Sequence, residues 1–430
     1  MKVLIILIVL FQLFFSFKKP VWGLCYFIVI RILVPDIARS PIPFLSLNSL
    51  NSIILFAAFF FSNKNYTNLK LFKFIAFFIS YLIVALLIPK QVPFFYELKY
   101  CFNFVVLQLL PILVAIVVID NKKDLQSLLK CIFVSSAICI IYGLLCFIFN
   151  IDYPYNQKFT EIFASQSDLE SANGIVMGGI TGRIIGTAVA DSWRYGMVVT
   201  PLFMLFFCIY KKLHNFNLLL LVVLSGITIL LTIRRSPITS SMLFFCIYFA
   251  FDKNLAKHVW RLLKNVVLLL LFLIVLIYLF PELVIFKSIL ETSLLFWDDS
   301  IAENNEISGS SFEYRVFQLQ YTLSFISSSF LFGNGWGAMY YKDHPAMNGW
   351  ESMVFTMLAQ IGVLGSLFFT LLIREFYRYS VLYSNTVKYG LAFIGANVFF
   401  FVLTDSFYLF YTLLGAVLLN KTDLFLSVKN

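Results

Sequence analysis

The sequence predicts an all-α, polytopic integral membrane protein. Of its 430 residues, 61% are hydrophobic, and the mean hydropathy is +0.90. A soluble domain cannot bury that much apolar surface, because its exterior has to be polar. The apolar residues also recur in runs that are long enough to cross a bilayer as helices.

The runs divide the chain into spans of a single transmembrane domain over residues 1–430. They predict roughly 12 to 14 helices, beginning with a retained N-terminal helix after Lys2. The run at 21–35 is short and contains Arg31, which leaves a full crossing open. The runs lie near 3–17, 21–35, 45–62, 71–89, 99–119, 126–149, 195–210, 216–233, 237–252, 265–281, 353–373, 388–404 and 406–420.

Lysine and arginine predict the orientation, because cytoplasmic loops are enriched in them. The groups around Lys64, Lys122, Lys211, Lys257 and Arg374 are each separated from the next by two spans, which places them all in the cytoplasm. The long loops 150–194 and 282–352 then face the periplasm. The net charge of +10 reflects the basic loops, and no nucleic-acid-binding motif accompanies it.

Several arginines lie on the predicted outer side, where this rule predicts few positive charges. They are Arg183, Arg194, Arg234, Arg235 and Arg315, and they come from three separate regions of the chain. Guanidinium groups near helix ends can bind phosphate by paired hydrogen bonds. They can also anchor a helix at the lipid headgroups or pair with a nearby acid, so each arginine alone leaves both interpretations open.

Together, the outer arginines indicate a site for a polyisoprenyl diphosphate. A diphosphate leaving group gains negative charge as its bond to a sugar breaks, and fixed cations stabilise that charge in the transition state. Arg315 falls in an amphipathic helix of the second loop that is expected to lie on or near the membrane, and its apolar face contains Phe312, Val316, Leu319 and Leu323. No metal is required, and the adjacent Asp298 and Asp299 are interpreted as solvated surface.

Short motifs on the outer side resemble the bacterial O-antigen polymerase and O-antigen ligase superfamily. They are TGRIIG with Arg183, TIRRSP with Arg234 and Arg235, the Arg315 helix, FGNGWG, His344 and QIGVLG. The resemblance implies a GT-C-like, all-helical fold in the bacterial inner membrane, with its active site on the periplasmic face. It also implies transfer of a glycan from undecaprenyl diphosphate to a sugar hydroxyl, without a metal or another cofactor.

By this resemblance, Arg183, Arg234 or Arg235, and Arg315 bind the diphosphate, and His344 lies near the acceptor. Ligases typically have His-Asn before the last conserved span, whereas here Pro345 follows His344. This departure favours a polymerase, which moves a growing glycan onto the next carrier-linked repeat unit.

The acceptor hydroxyl has to lose a proton, so a base is expected nearby. His344 and Glu351 are the candidates, and Asp405 is a secondary one, although a surface histidine or a helix-start carboxylate also explains such residues. Arg194 and Gly335 are further secondary candidates. The glycines around Gly335 fit a simple turn as well as a ligand contact.

Two other functions remain open. A ligase would transfer the finished glycan to lipid A core or to a protein. A lipid-linked oligosaccharide flippase would need charged residues within its spans and often repeated halves, whereas here the middles of the spans are nearly free of charge and no internal repeat is visible. The expected partners are carrier-linked donor and acceptor glycans, membrane lipid and a chain-length regulator.

Overall fold

The computed structural model describes residues 2–34, 45–62, 70–88, 90, 92–149, 192–232, 235–251, 312–338, 352–382, 387–404 and 409–426. Within these ranges the chain forms α-helices, one short π-helical segment and no β-strand.

The helices follow the predicted apolar runs, and only the run at 265–281 lies outside the described residues. They are α1 (Lys2–Lys18), α2 (Pro20–Leu33), α3 (Leu47–Phe60), α4 (Lys70–Leu86), α5 (Phe94–Phe104), the π-helix (Val105–Leu109), α6 (Leu110–Val118), α7 (Lys122–Ile148), α8 (Ser192–Leu213), α9 (Phe216–Leu231), α10 (Arg235–Ala250), α11 (Phe312–Ser327), α12 (Met353–Leu382), α13 (Val387–Leu403) and α14 (Leu409–Leu426).

Within the part of the chain that the structure describes, four segments are long and apolar enough to cross a membrane: Phe94–Val118, Lys122–Ile148, Tyr195–Leu213 and Met353–Ser380. Several shorter apolar helices pack beside them. The predicted all-α, multi-pass membrane fold is therefore confirmed.

Polar side chains define where several helices begin. Asn121 precedes α7, and its Oδ1 accepts a 2.9 Å hydrogen bond from the backbone N–H of Asp124. Asn215 precedes α9 and accepts a 2.8 Å bond from the N–H of Asn217. Because the first N–H groups of a helix have no partner within it, these caps stabilise the starts of both helices.

Ion pairs tie together helix ends that were predicted to lie on one side. The Lys19 ammonium lies 2.6 Å from the Asp124 carboxylate, which joins the α1–α2 turn to α7. A second pair joins Lys70 on α4 to Glu375 on α12 at 3.6 Å. A third joins Lys212 on α8 to Asp423 on α14. These helix ends therefore share one side, and the cytoplasmic assignment of that side remains a prediction.

The short helix α2 contains one buried charge, Arg31, and the contacts of Arg31 show how the protein accommodates it. At about 1.5 Å per residue, α2 is shorter than a typical bilayer core, and Arg31 in its last turn is only 4% exposed. The guanidinium stacks 4.4 Å from the ring of Phe410 and donates to the Leu107 carbonyl in the π-helix. Protein groups from α14 and the π-helix thus shield this charge from lipid.

Candidate active site

Four helix ends meet on the side opposite the three ion pairs. The start of α8 touches α10, because a side chain added at Gly196 would lie 2.8 Å from the ring of Pro237. Ser236 then donates a 3.3 Å hydrogen bond to the Leu403 carbonyl at the end of α13. The N–H of Met353 donates a 2.7 Å bond to the Thr404 carbonyl. The starts of α8, α10 and α12 therefore converge on the end of α13.

Several predicted site residues are direct chain neighbours of these contacts. Arg194 precedes Gly196 by two positions, and Arg235 is the first residue of α10. Glu351 precedes Met353 by two positions, and Asp405 directly follows Thr404. These contacts therefore bring together helix ends that lie beside the predicted site residues in the chain.

The structure describes only part of the predicted site. Arg183, Arg234, His344, Glu351 and Asp405 lie outside the described residues. For Arg194, Arg235 and Arg315 the helix is described and the side chain is not. Gly335 is described completely. Among the described residues, no group of three or more His, Cys, Asp or Glu side chains could hold a metal, and Asp298 and Asp299 lie outside them.

Helix α11, which contains Arg315, packs against the first half of α12. Phe325 and Ala359 share a buried cluster there with Val92 and Ala338. On the other face, Val316, Leu319 and Leu323 are 37%, 38% and 59% exposed. The predicted apolar face of α11 therefore points away from the protein, as expected for a helix in contact with lipid.

Helix α12 is interrupted at Gly362, whose φ of 67° and ψ of −173° are not helical. The interruption removes the two helical hydrogen bonds that would join residues 363 and 364 to carbonyls 359 and 360. The segment between α11 and α12 replaces both. The bonds run from Val363 N to Phe330 O (3.0 Å), from Leu364 N to Leu331 O (3.2 Å), from Asn334 N to Ala359 O (2.9 Å) and from Gly335 N to Gln360 O (3.0 Å).

The glycine loop, Gly333–Gly337, needs its three glycines to form these hydrogen bonds with α12. Gly333, Gly335 and Gly337 have φ values of 72°, 101° and 72°, which favour glycine. A side chain at Gly333 would also collide with the backbone of Gln360. The N–H of Gly335 is already bonded to Gln360, so the structure uses this peptide group for packing against α12.

A buried ion pair lies under the glycine loop. The Lys90 ammonium is 2.5 Å from Oε1 of Glu97, and both side chains are 2% exposed. The same Oε1 accepts a 3.3 Å hydrogen bond from the backbone N–H of Trp336. The Trp336 ring packs 4.7 Å from the ring of Phe104 on α5. Glu97 thus connects the turn before α5 to the loop that precedes α12.

The Lys90–Glu97 pair was not predicted from the sequence, because the candidate acids came from the two long outer loops and from the turn at Asp405. A signal was available. Both residues lie between the runs at 71–89 and 99–119, in a short turn on the predicted outer side. A lysine and a glutamate in so short a turn between two spans indicate either an exposed turn or a buried pair, and the structure has the buried pair.

The fold and the converging helix ends describe a multi-pass membrane protein in which the starts of α8, α10 and α12 meet the end of α13. Residues 220–370 match the family model described as O-antigen ligase. The match includes the Arg234–Arg235 pair, α11 and the glycine loop. It confirms the predicted resemblance to the O-antigen polymerase and ligase superfamily, and it supports a polymerase- or ligase-type glycosyltransferase function in general. Among curated proteins, no significant match was found.

Proposed function

We propose that this protein is a polymerase of O-antigen or a related surface polysaccharide. It transfers the growing glycan from undecaprenyl diphosphate to a sugar hydroxyl of the next carrier-linked repeat unit. The reaction takes place on the periplasmic side of the bacterial inner membrane. The family match and the multi-pass fold support this class of reaction.

The observation that carries the proposal is the convergence of the starts of α8, α10 and α12 on the end of α13. Through it, the start of α8, which contains Arg194, and the start of α10 at Arg235 meet the start of α12, which Glu351 precedes by two residues in the chain. A substrate with its headgroup at the membrane surface and its isoprenoid chain in the bilayer would approach protein groups at that level.

In this proposal, Arg183, Arg234, Arg235 and Arg315 bind the diphosphate. Each guanidinium can present two parallel N–H donors to phosphate oxygens. When the bond between the anomeric carbon and the phosphate oxygen breaks, its electron pair stays with the diphosphate. The arginines stabilise the added negative charge, which lowers the barrier more than it strengthens binding of the substrate.

The acceptor hydroxyl oxygen forms the new bond to the anomeric carbon and gives up its proton. His344 or Glu351 takes that proton, and Asp405 is a secondary candidate. Both Glu351 and Asp405 are chain neighbours of the Met353–Thr404 hydrogen bond. In this scheme the arginines supply the positive charge that a divalent cation supplies in other enzymes.

A ligase is the second candidate, because the matching family model is described as O-antigen ligase. The bond that breaks and the leaving group are the same in both reactions. The two differ only in the acceptor, which for a ligase is lipid A core or a protein.

The lipid-linked glycans of a strain that lacks the gene distinguish the two reactions. Accumulation of carrier with a single repeat unit is the result expected for loss of a polymerase. Carrier with long chains would instead identify a ligase. Unchanged carrier-linked glycans and unchanged surface polysaccharide would overturn both.

A further inference from the structure

The Lys90–Glu97 pair holds one end of a segment that contains proposed catalytic groups. Residues 339–351, which include His344 and Glu351, run from the glycine loop to the start of α12. At the first end, the Trp336 N–H is bonded to Glu97. At the other end, the Met353 N–H is bonded to Thr404. Both attachment points of the segment are therefore fixed by hydrogen bonds to other parts of the chain.

Glu97 is the group at the first attachment point that neither the family match nor the motifs explain, because it lies outside residues 220–370. Its Oε1 has two partners, the Lys90 ammonium at 2.5 Å and the Trp336 N–H at 3.3 Å. A buried carboxylate is costly without partners, and the ammonium compensates the charge that Glu97 brings into the protein. Lys90 thus allows the Glu97 carboxylate to stay buried where it accepts the hydrogen bond from the Trp336 N–H.

The loop also fits α5 closely on both sides of Trp336. A side chain at Gly335 would lie 3.0 Å from the carboxylate carbon of Glu97. One at Gly337 would lie 2.7 Å from the ring of Tyr100 and 3.0 Å from that of Tyr96. The position of the loop relative to α5 is therefore set by Glu97 and the two tyrosines within about one turn of that helix.

We infer that Glu97 is a positioning residue for glycan transfer, which acts by accepting the Trp336 N–H, and that Lys90 serves to keep this carboxylate buried. The inference rests on the proposed function for its kinetic consequence. Positioning acts on the transition state, where small displacements of catalytic groups are costly, more than on binding of the lipid carrier. Glu97 therefore affects kcat and leaves KM for the donor nearly unchanged.

Two charge-free double variants separate this role from a purely structural one. Lys90→Met with Glu97→Gln removes the ion pair and keeps an Oε1 acceptor for Trp336. Lys90→Met with Glu97→Leu removes the pair and the acceptor, with a side chain of similar size. Neither variant leaves a buried charge unpaired, which would threaten folding by itself.

The inner pair of Lys212 and Asp423 provides a matched control, because its side chains are also largely buried, at 12% and 3% exposure. Lys212→Met with Asp423→Asn removes that pair on the opposite side of the protein. Each variant is purified, checked for a cooperative thermal transition and reconstituted in phosphatidylethanolamine–phosphatidylglycerol vesicles. Transfer is measured with an undecaprenyl-diphosphate-linked repeat unit as donor and acceptor.

We expect the Gln variant and the inner control to have a kcat within about threefold of that of the parent protein. The folded Leu variant should have a kcat lower by about tenfold or more, with a donor KM within about twofold of that of the parent protein. Equal kcat in the Gln and Leu variants would overturn the inference. Hydrogen exchange across residues 333–338 provides a readout without catalysis, and the Trp336 amide should exchange faster in the Leu variant.

The exchange measurement distinguishes failure of the proposed function from failure of the inference about Glu97. If the parent protein transfers no glycan from this donor, the proposed function fails, and exchange at Trp336 still tests the contact. Equal exchange in the Gln and Leu variants would show that Glu97 does not hold the loop, whatever the kinetics.

Discussion

The backbone N–H of Met353 donates to the carbonyl oxygen of Thr404 across 2.7 Å, joining the first residue of α12 to the residue after α13. Helix starts have unpaired N–H groups and helix ends have unpaired carbonyls, so this one bond satisfies a group of each kind. It also links the chain neighbours of Glu351 and Asp405.

Met353→Pro tests this contact selectively. Proline is tolerated at the first position of a helix, so α12 still forms, while the donor to Thr404 is lost. Met353 is 1% exposed, so Met353→Ala controls for the lost packing. We expect Met353→Pro to unfold with about 1 kcal/mol less free energy than Met353→Ala, and to extend glycans more slowly. Equal thermal stability and equal activity of the two variants would contradict the prediction.

The outer arginines should be essential for glycan lengthening. Arg315→Ala, or alanine at both Arg234 and Arg235, should lower polymerisation by about 10²-fold or more, because fixed transition-state charge is lost. Lysine should rescue only partly, since it lacks the forked donors. The measurement is the chain-length ladder on a gel, with membrane levels of the protein checked by immunoblot.

Arg378→Ala is the matched control for the arginine variants. Arg378 lies near the end of α12 that carries the Lys70–Glu375 pair, is 40% exposed and pairs with Glu375 at 3.2 Å. Loss of an exposed pair costs little stability, so the ladder should be unchanged. Unchanged ladders in the outer variants as well would refute the diphosphate site, and full rescue by lysine would indicate a role for charge alone.

Hydropathy predicted most of the fold because a long apolar run inside a bilayer forms a helix. In a bilayer, a helix satisfies its own backbone hydrogen bonds, so a run near 126–149 has only one stable outcome, which is seen as α7. Periodicity likewise placed Val316 and Leu323 on one face of α11. It also predicted a helix on or near the membrane, but it did not say which residues of α11 pack on α12, because this depends on tertiary packing.

The glycine loop shows where prediction from the sequence stopped. Its composition indicated a turn, and the sequence QIGVLG was noted separately. That Gly333 and Gly362 bring their backbones together depends on an exact match of donors and acceptors between two distant segments. Likewise, burial of Glu97 depends on Trp336, far away in the chain. Local patterns do not contain such pairings.

A chelator should leave glycan transfer intact. The proposed charge stabilisation uses guanidinium groups, which do not depend on a dissociable ion. The test is transfer in reconstituted membranes after EDTA treatment and dialysis, compared with untreated vesicles and with vesicles to which Mg²⁺ is restored. Strong inhibition that Mg²⁺ reverses would point to a metal site, with Asp298 and Asp299 as the first ligands to examine.

Gly333→Ala should destabilise the protein through backbone strain and a collision. Its φ of 72° costs a residue with a side chain about 1–2 kcal/mol, and the added carbon would collide with Gln360. Gly226→Ala is the control, because its side chain would meet only a ring carbon of Phe203 at 3.5 Å. Within helix α9, alanine should be neutral or stabilising by up to about 1 kcal/mol. Thermal unfolding in detergent that ranks the two variants equally would contradict the close approach.

Arg31→Ala should destabilise the protein strongly. It removes the stacking on Phe410 and the donor to the Leu107 carbonyl, contributions of about 2 kcal/mol and 1.5–3 kcal/mol in buried sites. Lys18 offers a control in the neighbouring helix, since its ammonium lies 5.0 Å from the ring of Trp22 on the protein surface. Lys18→Ala should cost less than about 1 kcal/mol. If thermal unfolding shows similar losses for both variants, the buried charge contributes no more to stability than an exposed one.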